Sequence, residues 1–146
     1  MIAMLRYYFL YNVSARVALS TPIHLARHIT FVWTIPDMTM YDTFREQICW
    51  CYKRSGTPGY PTLHLQIYVT RQKDATADAF ALQPGDVITK RPDMAEVLKG
   101  VKEHGIPRVA VLVCGPGPLV KGTWDASKEL SDSNTLFDYH HETFEF

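Results

Sequence analysis

The sequence has no charge to spare for a polyanion. Its 15 lysines and arginines are matched by 15 aspartates and glutamates, so no basic field draws it to nucleic acid or to an anionic membrane surface. Cysteine is scarce: Cys49, Cys51 and Cys114 make an odd count without regular spacing. That argues against a secreted disulfide scaffold and for a reducing compartment. Cys49-Trp50-Cys51 lacks the two-residue gap and the second pair of a zinc site, and reads as helix packing. Long apolar runs are missing too, since no stretch reaches the ~18 to 20 residues that cross a bilayer. Met1 to Tyr11 is apolar and aromatic, but Arg6 interrupts it and no signal-peptide cleavage pattern follows. Low-complexity segments and internal repeats are absent as well.

What is present is ordinary globular material. With 146 residues, 47% of them hydrophobic and 12% aromatic, the chain is long enough for one domain over 1–146 with a real core. Ile2, Leu5 and Phe9 mark a helical face to about Tyr11, with no capping residue before it, as when a chain starts inside an element. Ile29 to Ile35 is a short β-branched and aromatic run closed by Pro36-Asp37, and predicts a buried strand. Thr39 is positioned to cap a helix in which Phe44, Ile48 and Cys51 share a face, ended by Gly56-Thr57-Pro58-Gly59. Leu63, Leu65, Ile67 and Val69 alternate in a second strand that runs to Thr70.

Arg71 to Gly85 has little pattern and predicts a loop, and Asp86 to Thr89 a short strand. Asp93 opens a capping box with Glu96, and Met94, Val97, Leu98 and Val101 mark the helix that Gly105 stops. Arg108 to Val113 is an apolar strand ending at Cys114-Gly115-Pro116. A helix with Leu119, Val120, Thr123 and Trp124 on one face follows it, and Leu136 to Phe146 closes the chain as an aromatic strand. Strands and helices that alternate in this way imply right-handed crossovers and a parallel sheet with helices on both faces. Ligands then bind beyond the carboxyl ends of the strands, which directs attention to Trp33–Asp37, Val69–Lys73 and Cys114–Pro118.

Cys114-Gly115-Pro116-Gly117-Pro118 lies where a strand exit meets a helix start. Glycines there admit a ligand to the backbone, and free amides at a helix start favour an anion. A plain tight turn accounts for glycine and proline equally well. Cysteine at that mouth is harder to explain by packing alone. His140 and His141 point to opposite faces of a strand and cannot chelate together, so no metal site is expected. His24, His28, His64 and His104 have no partner spacing.

Val111-Leu112-Val113-Cys114-Gly115-Pro116 resembles the strand and turn ending in Cys-Gly-Pro in the ferredoxin–NADP reductase superfamily. Phe137 to Phe146 looks like the aromatic, acidic C-terminus of ferric reductases and NADPH oxidases. His64 to Arg71 is similar to the strand followed by Thr-Arg in ferric reductases, Arg91-Pro92-Asp93 to their Arg-Pro-Asp turn, and Ile29 to Trp33 to their strand ending in Trp. In order and spacing these matches run along the whole chain. Two departures stand out: Lys90 occupies a place where oxidases often have glycine, and Thr34-Ile35-Pro36 replaces the arginine that commonly follows the tryptophan.

The resemblance implies a Rossmann-like three-layer α/β sandwich with a mostly parallel sheet, the NAD(P)-binding domain of a ferric reductase-like flavoprotein. It implies hydride transfer from NADPH (NADH being the alternative) to FAD, with onward electron transfer through haem to ferric iron. Cys114 takes the place beside the nicotinamide, and Phe146, or Phe144 in its stead, stacks on the flavin. Thr70 and Arg71 fall where the adenosine ribose or its 2′-phosphate is met, Lys73 reading rather as a solvated loop charge. Trp33, Arg91, Gly115, Pro116 and Gly117 complete the implied cofactor contacts. FAD and haem belong to other domains of the parent protein, a membrane protein with this domain on its cytoplasmic side, and the chain alone is expected to be soluble. Relatives carry a strand and a glycine-rich turn just before the first helix. That helix resembles Ile2 to Tyr8, so the first strand and the pyrophosphate cradle are expected upstream of Met1, leaving an open sheet edge, weak NADPH binding and no electron transfer by the chain alone. Rival readings are a superoxide-producing NADPH oxidase domain, a soluble flavoprotein reductase domain, and a non-catalytic nucleotide-binding module.

Overall fold

A computed structural model describes residues 26–75 and 82–142. The chain divides into two compact units, Met1–Arg91 and Pro92–Phe146. The expected first helix over Ile2 to Tyr11 lies outside the described residues.

In the first unit β1 (His28–Ile35), α1 (Thr39–Arg54), β2 (Thr62–Val69) and β3 (Val87–Ile88) follow one another. The sheet order is β1-β2-β3 with both pairings parallel. The alternation read in β2 holds: Leu63, Leu65, Ile67 and Val69 are all buried, and on β1 Phe31, Trp33 and Ile35 are their counterparts. In the register Trp33 sits beside Ile67 and Ile35 beside Val69, so alternate residues of the two strands build one apolar face. Tyr41, Ile48 and Cys51 of α1 join the same core. Each aliphatic side chain as deeply buried as Leu65 or Ile67 contributes about 1.5–3 kcal/mol. Phe44, expected among them, is 36% exposed and meets Trp33 edge-on with ring centroids 5.8 Å apart. It covers the core instead of filling it.

One expectation about α1 changes in detail. Thr39 is the first helical residue and not the cap; Met38 holds the cap position without a side-chain bond. Asp37 provides the capping oxygen, its Oδ1 accepting the Thr39 N–H at 3.0 Å and the Thr39 hydroxyl. An aspartate bonding the N–H two residues on is an Asx turn, which competes well with a threonine cap. The helix end is as expected, with Gly56 and Gly59 at φ 70° and 91°, values that favour glycine.

The second unit holds α2 (Met94–Lys102), β4 (Arg108–Cys114), α3 (Gly117–Leu130) and β5 (Leu136–Glu142). β4 and β5 are parallel, with Cys114 beside Glu142. Asp93 caps α2 as its sequence predicts, accepting the N–H groups of Ala95 at 2.9 Å and Glu96 at 3.3 Å. Leu98, Val111, Ala126 and Phe137 form this unit's core.

The face of α3 differs from the expected one. Thr123, Ala126 and Ser127 are its buried residues, while Trp124 is 45% exposed. The hydroxyls of Thr123 and Ser127 donate to the carbonyls of Leu119 and Thr123, each at 2.8 Å. Satisfied in this way, they are small enough to bring the helix close to the strands. Trp124 lies edge-on to Tyr139 of β5, ring centroids 5.1 Å apart. β4 is also less enclosed than its apolar composition suggests. Val111 and Val113 are buried, but Leu112 on the opposite face is 54% exposed. All strand pairings among the described residues are parallel, and strands alternate with helices in an α/β, Rossmann-like fold.

Candidate functional site

The carboxyl ends of β1 and β2 are aligned by their register, and the pairing continues past both strands. Thr70 N–H donates to the Ile35 carbonyl at 3.0 Å, and Arg71 N–H to the Pro36 carbonyl at 2.9 Å. The Thr70 hydroxyl adds a 3.3 Å bond to the same Ile35 carbonyl. Met38 N–H then donates to Gln72 Oε1 at 3.1 Å. The exit of β2 is thereby stitched to the turn that opens α1, which brings Thr70 and Arg71 beside Asp37. Arg71 is exposed. The Asp37 carboxyl is held below the ordinary aspartate value, first by the Thr39 hydroxyl, then by the Thr39 N–H, with the Arg71 charge adding to them.

Trp33, two residues before the strand end, is only 6% exposed and belongs to the core. Its part is packing: the indole sits under Phe44 and offers little surface to a ligand. Arg91 is exposed in the segment before α2, with the Asp93 cap two residues on.

In the second unit Cys114 ends β4 half-buried, and Gly115, Pro116 and Gly117 are exposed after it. Pro116 takes the cap position of α3 at φ −65° and ψ 151°, and its carbonyl accepts the N–H groups of Leu119 at 2.9 Å and Val120 at 3.2 Å. No side chain caps this helix start and no acidic residue lies in its first turn, so the positive end of the helix dipole is left unopposed. Lys128 in the last turn suits the other end. The glycines of this turn are not explained by left-handed backbone, since the positive-φ glycines among the described residues are Gly56, Gly59, Gly85 and Gly105. Gly115 has a packing reason, because a Cβ there would fall 2.9 Å from Leu119 Cδ2. Gly117 has none: nothing lies within 4 Å of where its Cβ would be. Its missing side chain leaves open space at the helix start.

Phe144 and Phe146 lie outside the described residues; β5 is described to Glu142. Tyr139 and His141 share a face of β5, ring centroids 5.8 Å apart, while His140 points the other way. Among the described residues no helix is long and apolar enough to cross a membrane.

The sequence directs attention to the segments that hold Asp37 and Gln72 but assigns neither a role, and it does not single out Tyr52 or Asp86. Asp37 had a local signal, an Asx residue two positions before a helix start. Gln72 and Asp86 had none, because their partners Met38 and Tyr52 are each 34 residues away.

A family model described as the ferric reductase NAD binding domain matches residues 9–127. No curated protein matches the chain.

Proposed function

The chain belongs to the ferric reductase NAD binding domain family, and from that premise we propose that it is the NADPH-binding domain of a ferric-chelate reductase-like flavoprotein, NADH being the alternative. When bound, the nicotinamide supplies a hydride for FAD in a neighbouring domain, from which electrons pass singly through haem to ferric iron. Each unit by itself offers groups that suit a dinucleotide: in the first, an exposed guanidinium at the β2 exit, and in the second, a half-buried thiol before an uncapped helix start.

Cys114 walls the nicotinamide side and orients the ring without forming a covalent bond. Gly115, Pro116 and Gly117 admit the ligand to the backbone, and the start of α3 favours its anionic portion. Thr70 and Arg71 meet the adenosine ribose, where the forked donors of arginine suit a 2′-phosphate. Arg91 adds a contact from the segment before α2. Phe146, or Phe144, stacks on the flavin and yields its place to nicotinamide. The partners are the FAD-binding and haem-bearing domains of a membrane protein, with this domain on the cytoplasmic side.

The observation that carries the reading is the family match over residues 9–127, with the half-buried Cys114 at the β4 exit and the uncapped start of α3 in keeping with it. A helix start without a side-chain cap or an acidic first turn suits the anionic part of a ligand. The test is the rate of flavin reduction by NADPH in the flavin-containing reductase with Cys114→Ala. A slower hydride step at near-normal nucleotide affinity is expected, and an unchanged rate removes Cys114 from the mechanism.

A further inference from the structure

Asp37 is held from two sides. Its Oδ1 accepts both the N–H and the hydroxyl of Thr39, which stops the carboxylate from turning away. The turn that carries it is tied to the β2 exit by the bonds from Arg71 N–H to the Pro36 carbonyl and from Met38 N–H to Gln72 Oε1. Arg71 therefore leaves β2 next to the segment that carries this carboxylate, its N–H bonded at 2.9 Å to the carbonyl of the residue before Asp37, and its charge helps to lower the Asp37 carboxyl.

We propose that Asp37 sets the choice between the two pyridine dinucleotides, its carboxylate offsetting the Arg71 cation so that a ribose 2′-hydroxyl is taken nearly as well as a 2′-phosphate. The inference rests on the reading that the β2 exit meets the adenosine ribose. A guanidinium alone selects strongly for the phosphate. A carboxylate accepts a hydrogen bond from a ribose hydroxyl and repels a phosphate dianion. With the carboxylate and the guanidinium carried by two segments joined at this strand exit, their charges offset each other and neither ligand has a large advantage. The Thr39 N–H and hydroxyl both engage Oδ1 of Asp37, and the second carboxylate oxygen is the one assigned to the ribose.

The test is calorimetric titration of the protein with NADPH, NADH, 2′-phospho-AMP and AMP, in wild type, Asp37→Asn and Arg71→Ala. Asparagine keeps the Oδ1 that receives Thr39, so circular dichroism and melting temperature should stay near wild type; Asp37→Ser, a good capping residue, provides a second neutral variant. Removing the carboxylate should tighten NADPH and 2′-phospho-AMP about five- to tenfold, the size of a partly screened like-charge contact. NADH and AMP should be unchanged or slightly weaker, and added salt should shrink the gain. If both neutral variants leave the NADPH-to-NADH ratio unchanged while Arg71→Ala weakens NADPH, the role of Asp37 is overturned and the nucleotide reading stands. If Arg71→Ala changes none of the affinities, the placing of the ribose at this strand exit fails, and the inference fails with it.

Discussion

Substituting Gly115 by alanine puts one carbon where Leu119 already sits. The added Cβ would lie 2.9 Å from Leu119 Cδ2, with Leu119 Cγ at 3.9 Å and its Cβ at 4.0 Å. Ordinary carbon contacts begin near ~3.5 Å, so Cδ2 must retreat by roughly 0.6 Å or more. The obstruction is the far end of a half-buried, flexible side chain, so the relief is a rotation of Leu119 away from its preferred rotamer, at about 0.5–1.5 kcal/mol. Against this, alanine restricts the unfolded chain by about 0.4–1 kcal/mol, a gain open to Gly115 because its φ is not positive. The net expectation for Gly115→Ala runs from a gain of about 0.5 kcal/mol to a loss of about 1 kcal/mol. Leu119→Ala removes the obstructing atoms. In that background Gly115→Ala should become stabilising, with a coupling of about 0.5–1.5 kcal/mol between the two positions. Urea unfolding of wild type, both single variants and the double variant reads this cycle directly. If Gly115→Ala costs the same in both backgrounds, Leu119 is not the reason for glycine at this turn.

Tyr52→Phe should destabilise the protein by about 1–3 kcal/mol in the same urea assay. Asp86 is 8% exposed and accepts the Tyr52 hydroxyl at 2.7 Å and the Gln83 N–H at 2.8 Å, so the variant leaves it with one of those two donors; no loss would show that Asp86 is hydrated in solution. Asp132 provides a pH test, its carboxyl being lowered to about 2 by the Lys102 ammonium first and then by the N–H groups of Thr135 and Asn134. A folded-state value below the unfolded one adds stability that is complete above about pH 4 and lost as pH falls towards 2. Melting temperature against pH should therefore be flatter over that window for Asp132→Asn than for wild type, and parallel curves would refute the assignment.

Much of the site was legible from residue order alone, and the legible parts share a cause. The alternation of Leu63 to Val69, the Asp93 cap and the glycine stop at Gly105 are relations between residues a few positions apart. The strand exit at Cys114 was legible for the same reason, because an apolar run that meets Gly-Pro-Gly must turn. The meaning of its glycines was not: whether they serve backbone conformation, packing or a ligand depends on where Leu119 falls and on what stands beside Gly117.

The chain's own pattern therefore determined the alternation of strands and helices, the parallel pairing, and the candidate residues at the strand exits. These follow from periodicity, turn chemistry and the handedness of crossovers, all of which act locally. Tertiary structure decided which side of each element is buried. It buried Ala126 and Ser127 beside the expected Thr123 where sequence pattern had put Trp124, and left Leu112 uncovered on β4. It alone brought Gln72 to Met38, Tyr52 to Asp86, and Arg71 to Pro36. Those pairs form only when the chain returns on itself, and nothing within one strand or helix specifies which residues the return will place side by side.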